Sequence, residues 1–486
     1  MRREPEKTLM RTRTNTITAF AALLAVGLLS SSVFADCGFI KGLVENDRIK
    51  CGRIGVPEDH ARPDDRKIKI AYAVVKAKNG PSDEAVIYFS GGPGGGSLNA
   101  GFMGFLANSP LTEDRDLVLF DQRGIQFSSA LPDIGKGVYQ AMAANTDMAG
   151  ERKLIAKVLS EYRKKAEKKK IDLGAYNSFQ NAKDVGLMMT ELGYQKYDLF
   201  GISYGTRLAR IIQDLYPEKV NAVILDSPNL MTDDFLVDRM RSYSAAAEKT
   251  FRACERDENC SRSNPDLEAE YVAVIDKLKD EPIKVKAKSG DFWMNAQDAV
   301  YFLRRQLYRT DALERFPAFL NALKDNDQKI LKAAVDTELA DVEDGSFNTS
   351  MFLAVSGYES MDEANTPAKI DDLYGEIPHF PAQLGFFTNL YIEGMNWHDK
   401  RIKPADRIFK MSAVPTVIFV NQYDPVTPPE NGKFFQKKLE NSHLFVIDEG
   451  GHAGGDFDCK MKIMNEFMAS PTKSPDASCL KLFGGD

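Results

Sequence analysis

A serine placed between two glycines is the first feature of this chain whose residue types could do chemistry. It lies in the segment GISYG, between a strand-like apolar segment (197–202) and a helix-like segment (204–216). A tight turn from a buried strand into a helix needs small flanking residues and raises the serine hydroxyl above the end of the sheet. The N–H of Tyr204, at the start of the helix, can then stabilise negative charge. We therefore interpret Ser203 as a nucleophile; the alternative is a capping serine in a tight turn.

A nucleophilic serine needs a base and a carboxylate that orients the base, and the chain has five histidines. His452 follows the last predicted strand, inside the glycine-rich loop DEGGHAGG, where an imidazole can approach another backbone closely. Asp424 follows the predicted strand PTVIFV, whereas the rival acid Asp226 ends the strand AVILD. The chain order Ser203, Asp424, His452 is the order in which a strand–helix sheet of this kind presents its nucleophile, acid and base. We predict that triad, with Asp226 as the alternative acid.

A second glycine-rich loop, SGGPGGGS (90–97), follows the predicted strand AVIYF. It has no lysine for a phosphate-binding loop, and its glycine spacing does not match a dinucleotide fingerprint. Its backbone N–H groups can still approach a reacting atom closely. We predict that the N–H of Gly92 joins that of Tyr204 in an oxyanion hole. The alternative is a merely flexible loop.

The elements that must position these residues are short apolar strands that alternate with helical patterns. This alternation predicts a mainly parallel sheet covered by helices on both faces. Between about 230 and 405 the strand series stops, and amphipathic helical patterns replace it. We predict a sheet domain formed by 36–230 and 405–486, with an inserted helical domain at 231–404.

The first 35 residues resemble a secretory signal peptide. A basic start precedes a 13-residue apolar run (17–29), and Val33 and Ala35 occupy the small-residue positions before a cleavage site. The run is short for a membrane-spanning helix, so we expect no stable membrane insertion. A lipid anchor on Cys37 is the alternative, but Asp36 takes the place of the small residue that such processing needs. We expect a periplasmic or secreted protein, cleaved after Ala35.

Charge and cysteine content narrow the partners further. The formal net charge of −7 disfavours nucleic acid, and the basic stretch at 163–170 reads as a solvated helix face. An even number of cysteines in an exported chain indicates disulfides, and zinc is the less favoured alternative because no C-x-x-C occurs. Sequence alone leaves the pairing open, and we expect neighbours to pair. Those pairs are Cys37 with Cys51, Cys254 with Cys260, and Cys459 with Cys479. We expect no metal and no organic cofactor.

Five segments and their order along the chain resemble those of a known protein family. They are SGGPGGGS, LVLFDQRGIQFSS, LFGISYGTRLA, DPVTPP and EGGHAGG. Together they resemble the serine aminopeptidases of the α/β-hydrolase fold, the prolyl aminopeptidase group and especially its exported tripeptidyl-aminopeptidase branch. The stretch DQRG (121–124) is the most specific of these features. The resemblance implies the triad and oxyanion hole given above and a terminal disulfide between Cys459 and Cys479; the predicted helical insert matches the family poorly.

The resemblance also implies the substrate, a peptide with a free N-terminus. The segment MFLAVSGYESMDEA resembles one in which an acidic residue binds the substrate amine, and Glu359 would be that residue. The alternative for Glu359 is a surface carboxylate on a helix. Two features depart from the family: Ser90 stands where its loop often begins with histidine, and the cysteine often found near the acidic residue is absent.

Two other functions compete with an aminopeptidase. A carboxylesterase would use the same triad on acyl esters, and a non-catalytic binding protein would keep the fold without turnover. The sequence predicts neither the length of the peptide nor an oligomeric state.

Overall fold

The computed structural model describes residues 37–483, apart from 45–46, 233–234, 361–371, 373–374, 379–385, 395–396 and 399. The predicted signal peptide therefore lies outside the described residues. Within this part of the chain, none of the helices is both long enough and apolar enough to cross a membrane.

The centre of the fold is an eight-stranded sheet in the order β1-β2-β4-β3-β5-β6-β9-β10. The strands β3 to β6, β9 and β10 pair in parallel, whereas β2 pairs antiparallel with β1 and β4. The strands are Ile49–Pro57 (β1), Lys67–Val75 (β2), Ala85–Phe89 (β3), Asp116–Phe120 (β4), Tyr197–Ile202 (β5), Val220–Asp226 (β6), Ile283–Ala287 (β7), Gly290–Met294 (β8), Thr416–Asn421 (β9) and Ser442–Ile447 (β10).

Helices follow most strands and cover the sheet. They are Ala100–Ala107 (α1), Gly135–Met142 (α2), Met148–Lys168 (α3), Ser178–Glu191 (α4), Tyr204–Leu215 (α5), Phe235–Arg256 (α6), Glu258–Ser263 (α7), Leu267–Asp280 (α8), Ala296–Gln306 (α9), Ala312–Asp325 (α10), Gln328–Glu343 (α11), Thr349–Glu359 (α12), Phe386–Gly394 (α13), Pro429–Gln436 (α14) and Phe457–Ala469 (α15).

The central strands are apolar throughout because both faces of the sheet are covered. All five residues of β3 are buried. Successive side chains of a strand point to opposite faces, and Ile87 packs in one cluster with Val185 of α4 and Leu208 of α5. Val86 packs in the other cluster, with residues of α1 and α15. Burial on both faces is typical of a parallel sheet.

The segment between β6 and β9 forms helices α6 to α13, as the helical pattern predicted, but it also contains a β-hairpin. Strands β7 and β8 pair antiparallel, with Val285 opposite Phe292. Both of these side chains are fully buried, whereas the neighbouring Lys284 and Lys286 are exposed. Two strands of five residues each are too short to stand out from the surrounding helical pattern. The limits of this segment as a domain, 231–404, stay a prediction.

Helices α2 and α3 precede β5 in the chain but pack with the helices that follow β6. Tyr139 of α2 and Ile155 of α3 belong to the same buried cluster as residues of α6, α8 and α9. Tyr162 of α3 stacks on Trp397 with ring centroids 4.6 Å apart. The helical cover over the sheet is therefore built from two segments of the chain, whereas the sequence pattern indicated one.

The structure pairs the six cysteines with their neighbours in the chain. The disulfides join Cys37 to Cys51, Cys254 to Cys260 and Cys459 to Cys479. They connect the N-terminal segment to β1, α6 to α7, and α15 to the C-terminal segment. Three disulfides are typical of a protein in an oxidising compartment.

Candidate active site

Ser203 occupies the turn between β5 and α5 in a backbone conformation that side chains rarely adopt. Its φ and ψ are 56° and −123°. The flanking glycines are required by close packing: a Cβ on Gly201 would lie 2.5 Å from the Gly205 carbonyl. A Cβ on Gly205 would lie 2.1 Å from the Phe89 carbonyl oxygen of β3. The tight turn predicted from the sequence is therefore present, and a nucleophile-elbow geometry follows from it.

His452 contacts Asp424 and not the rival acid. His452 Nδ1 lies 2.8 Å from Asp424 Oδ2. The Thr427 hydroxyl donates to the same Oδ2 at 2.6 Å. The N–H groups of Val426 and Thr427 donate to Oδ1 at 2.8 and 2.9 Å. Because Nδ1 faces Asp424, Nε2 is the imidazole nitrogen left to exchange a proton with a serine.

Asp424 stays ionised although it is 1% exposed. Burial raises the pKa of a carboxyl group, but the charge of His452 and the hydrogen bonds from His452 and Thr427 act in the opposite direction. The net result is a pKa of Asp424 below its usual value. An ionised Asp424 can stabilise the imidazolium that forms when His452 accepts a proton.

Asp226 is occupied by a different partner. Its Oδ2 lies 2.8 Å from Lys460 Nζ, and both side chains are fully buried. Lys460 lies on α15, eight residues after His452, and its ammonium is also within 3.4 Å of the Ala453 carbonyl oxygen. Asp226 remained an alternative acid in the sequence analysis because the sequence does not indicate its contact with Lys460, which lies in a distant part of the chain.

Ser203 and His452 line one cavity of about 530 Å³. Gly91 and Gly92 line it as well, and a Cβ on Gly91 would lie 3.1 Å from the Ser203 Cβ. The loop 90–97 therefore lies directly against the serine, and the oxyanion role of Gly92 stays a prediction. The Tyr204 side chain points elsewhere: its hydroxyl lies 2.7 Å from the Ser178 hydroxyl. Only the Tyr204 N–H, at the first position of α5, can serve the cavity.

The DQRG motif holds the glycine loop at both ends. Asp121 Oδ1 accepts hydrogen bonds from the N–H groups of Ser97 and Leu98, at 2.9 and 3.2 Å. Asp121 Oδ2 accepts one from the N–H of Phe127 at 3.2 Å. Gln122 Nε2 donates to the Ser90 carbonyl oxygen at 3.3 Å. Burial raises the pKa of Asp121 to about 6, and these three N–H groups oppose the rise.

Arg123 anchors this motif to the rest of the sheet domain. Its guanidinium is fully buried and donates two hydrogen bonds to Asp184, at 2.8 and 2.7 Å. It also donates to the Ala175 carbonyl oxygen at 2.7 Å. His60 Nε2 lies 2.7 Å from the same carboxylate. A buried arginine with this many acceptors fixes backbone position, and sequence spacing alone gave no sign of these partners.

Glu359 is not among the residues that line the cavity, and its expected role in binding the substrate amine stays a prediction. Glu359 is fully buried, and its Oε2 lies 3.0 Å from Arg207 Nη1. Its two oxygens also accept hydrogen bonds from the N–H and hydroxyl of Ser178, at 2.6 and 2.9 Å. These contacts link α12 to α4 and α5.

Two other carboxylates line the cavity, Glu338 and Asp341 of α11. Tyr301 donates to Glu338 Oε1 at 2.6 Å. Arg305 reaches both acids, at 3.6 Å from Glu338 and 2.9 Å from Asp341. Burial raises the pKa of Glu338, opposed by Arg305. Sequence analysis did not find this pair; its only signal is the spacing of three residues, which puts both acids on one helix face.

The chain belongs to the alpha/beta hydrolase fold family, which it matches over residues 84–458. The predicted fold, a mainly parallel sheet of this type, is therefore confirmed. The chain is 25% identical over 432 residues to serine protease Hip1 of Mycobacterium tuberculosis, which covers 83% of this chain and 81% of that protein. It is 26% identical over 190 residues to tripeptidyl aminopeptidase of Streptomyces lividans, which covers 37% of this chain and 35% of that protein.

Among solved structures, proline iminopeptidase of Mycobacterium smegmatis matches with a TM-score of 0.43 and 14% sequence identity. The match covers 87% of this chain and 99% of that one. The protein is thus a serine hydrolase, as its family and its curated relatives indicate.

Proposed function

We propose that this serine hydrolase is an exported aminopeptidase, which cleaves peptides with a free N-terminus. The observation that carries the proposal is that Glu338 and Asp341 line the same cavity as Ser203 and His452. Arg305 is shared between the two carboxylates, and Arg239 lines the same cavity. The N-terminal ammonium of a peptide would bind beside Glu338 and Asp341.

An ammonium bound at these carboxylates explains the surroundings of Glu338. Burial raises the pKa of this group, so an added cation would stabilise its ionised form. A site built to bind a charged amine rejects substrates without one more strongly than apolar contacts could, because its polar groups are left unpaired. The cavity would therefore select peptides with a free N-terminus over blocked peptides.

The proposed chemistry is acyl transfer by Ser203, His452 and Asp424. The Ser203 oxygen attacks the peptide carbonyl carbon while His452 Nε2 accepts its proton. The N–H groups of Gly92 and Tyr204 stabilise the oxyanion; one such donor is typically worth about 3–4 kcal/mol of barrier. His452 then protonates the leaving nitrogen as the C–N bond breaks, and water hydrolyses the acyl-enzyme by the same steps. The 2.8 Å contact between His452 and Asp424 supports this assignment.

The test compares amides with a free amine, the same amides with a blocked amine, and short acyl esters. Glu338→Gln should lower kcat/KM for the free-amine amides about 10- to 100-fold, the typical value of a charge-assisted hydrogen bond, and leave the other two classes unchanged. Glu343→Gln, an exposed acid on the same helix, is the matched control. Ser203→Ala should abolish turnover of all three classes.

Two results would decide against this function. Ester hydrolysis without cleavage of free-amine amides would indicate the carboxylesterase alternative. Failure of the folded wild-type protein to react with a labelled fluorophosphonate would indicate a non-catalytic binding protein.

Export is the second half of the proposal. The three disulfides support an oxidising compartment, and the basic and apolar start of the chain supports a cleaved signal peptide. N-terminal sequencing of protein from the periplasm and the medium tests it. We expect a mature chain that begins at Asp36; an intact Met1 in the cytoplasmic fraction alone would contradict export.

A further inference from the structure

A second cavity, of about 390 Å³, is lined by His452 but not by Ser203. It shares two walls with the larger cavity, the side chains of Tyr308 and His452. Its remaining lining residues are Arg309, Thr310, Asp311, Ala453 and Gly454. Three of these, at 309–311, are exposed to solvent, so the second cavity is open where the first is covered by helices.

Close packing fixes this cavity next to the imidazole. The Gly451 N–H donates to the Arg309 carbonyl oxygen at 3.1 Å. A Cβ on Gly451 would lie 1.6 Å from the Leu307 carbonyl oxygen, so only glycine permits this approach. The Tyr308 ring meets the His452 ring edge to face, with centroids 5.2 Å apart. The segment 307–311 and the histidine loop therefore hold one geometry relative to each other.

The proposed reaction indicates which part of the substrate each cavity would bind. His452 must first accept the Ser203 proton and then deliver it to the leaving nitrogen, so both sides of the scissile bond pass the same imidazole. The covered cavity, with the carboxylates of α11, takes the side that carries the free amine. The chain on the other side of the bond must leave past His452 toward solvent. We infer that the second cavity is the subsite for this leaving peptide segment.

The charges around the second cavity indicate which leaving peptides it favours. Asp311 is paired with Arg315, with 2.7 Å between its Oδ2 and the arginine Nε. Within the described part of the chain, the Arg309 guanidinium forms no direct ion pair and is exposed at the cavity wall. Its charge contributes, after Arg315, to the lowered pKa of Asp311. The subsite therefore offers a cation to a carboxylate on the leaving segment, such as the C-terminus of a short peptide.

The inference rests on the proposed aminopeptidase function, and the experiment separates the two. Three substrates share one free-amine acyl part and differ in the leaving group: a 4-nitroanilide, a dipeptide with a free C-terminal carboxylate, and the same dipeptide amidated. Arg309→Gln should raise KM about fivefold for the free-carboxylate peptide, in line with a partly exposed ion pair. Its kinetics on the anilide and the amidated peptide should match the wild type, and this also shows that the variant folds.

Arg262→Gln is the control, because Arg262 is an exposed arginine of α7 that does not line the cavity; it should leave all three substrates unchanged. An Arg309→Gln variant with unchanged KM for the free-carboxylate peptide would overturn the subsite, as would an equal loss on all three substrates. A wild-type protein that cleaves none of the three would instead overturn the aminopeptidase function and the subsite with it.

Discussion

Asp121 Oδ1 lies 2.9 Å from the backbone nitrogen of Ser97. This contact joins the loop after β4 to the glycine loop that borders Ser203. The DQRG motif, recognised in the sequence only by family resemblance, therefore holds the two ends of the loop that contains Gly92.

The first prediction concerns this contact. In Asp121→Asn, one acceptor oxygen is kept and the other becomes an amide that faces the Phe127 N–H, donor against donor. The glycine loop should shift, and kcat should fall about tenfold with little change in KM, since loss of a whole oxyanion donor costs about 100-fold or more. Steady-state kinetics on a chromogenic ester measures this. A rise of KM with unchanged kcat would show that the loop binds the ground state instead.

The second prediction is a pH dependence of stability. The pKa of Asp121 is about 6 in the folded protein against 3.8 for an ordinary aspartate, so the folded state binds the proton more tightly. The contribution of protonated Asp121 to the free energy of unfolding is then fully present below pH 4 and is lost as the pH rises through about 6. The unfolding free energy of Asp121→Asn should fall less over this window than that of the wild type.

Urea unfolding at pH 4, 5, 6 and 7 measures the difference, which is at most about 3 kcal/mol. Asp83→Asn, an exposed acid, serves as control and should follow the wild type. Parallel curves for Asp121→Asn and the wild type would show that Asp121 is ionised throughout.

The third prediction separates Glu359 from substrate recognition. Glu359→Gln leaves Arg207 buried without its anionic partner, and breaking a buried ion pair typically costs about 3–5 kcal/mol. The variant should unfold at lower denaturant concentration but keep the wild-type ratio of free-amine to blocked-amine turnover. A lost preference for free amines in a variant of normal stability would support the role first expected for Glu359.

The fourth prediction concerns Asp226 and Lys460. Lys460→Met leaves the Asp226 carboxylate buried and unpaired, so stability should fall by about 3–5 kcal/mol. Adding Asp226→Asn removes the stranded charge and should recover part of the loss. A double-mutant cycle of the four proteins by denaturant unfolding measures the coupling. Additive losses would show that the two groups do not interact despite their 2.8 Å separation.

The parts of the site that lie at strand ends could be predicted from the sequence. Ser203 follows β5, Asp424 follows β9 and the loop 90–97 follows β3. The carboxyl ends of parallel strands meet at one edge of the sheet, so apolar segments followed by glycine or acid are enough to locate these residues.

The side chains borne by the helical cover could not be predicted in the same way. In the sequence, Glu338 and Asp341 resemble any other acids on an amphipathic helix. What distinguishes them is their position in the cavity, beside Tyr301 and Arg305 of α9. The burial of Glu359 was not predicted, because its partners, Ser178 and Arg207, lie 181 and 152 positions away. The hydrophobic periodicity of a helix predicts which face a residue lies on, but it does not identify the residues that pack against that face.

The cover built from α2–α3 and from the helices after β6 has a consequence for protein engineering. Tyr139 and Ile155 lie in one buried cluster with residues of the second segment. Exchange of 231–404 alone between two relatives would pair each new segment with a foreign α2–α3 surface. Chimeras that carry the cavity of one parent should therefore fold only when both segments are transplanted together. An exchange of substrate preference would then require the transfer of two separate parts of the chain.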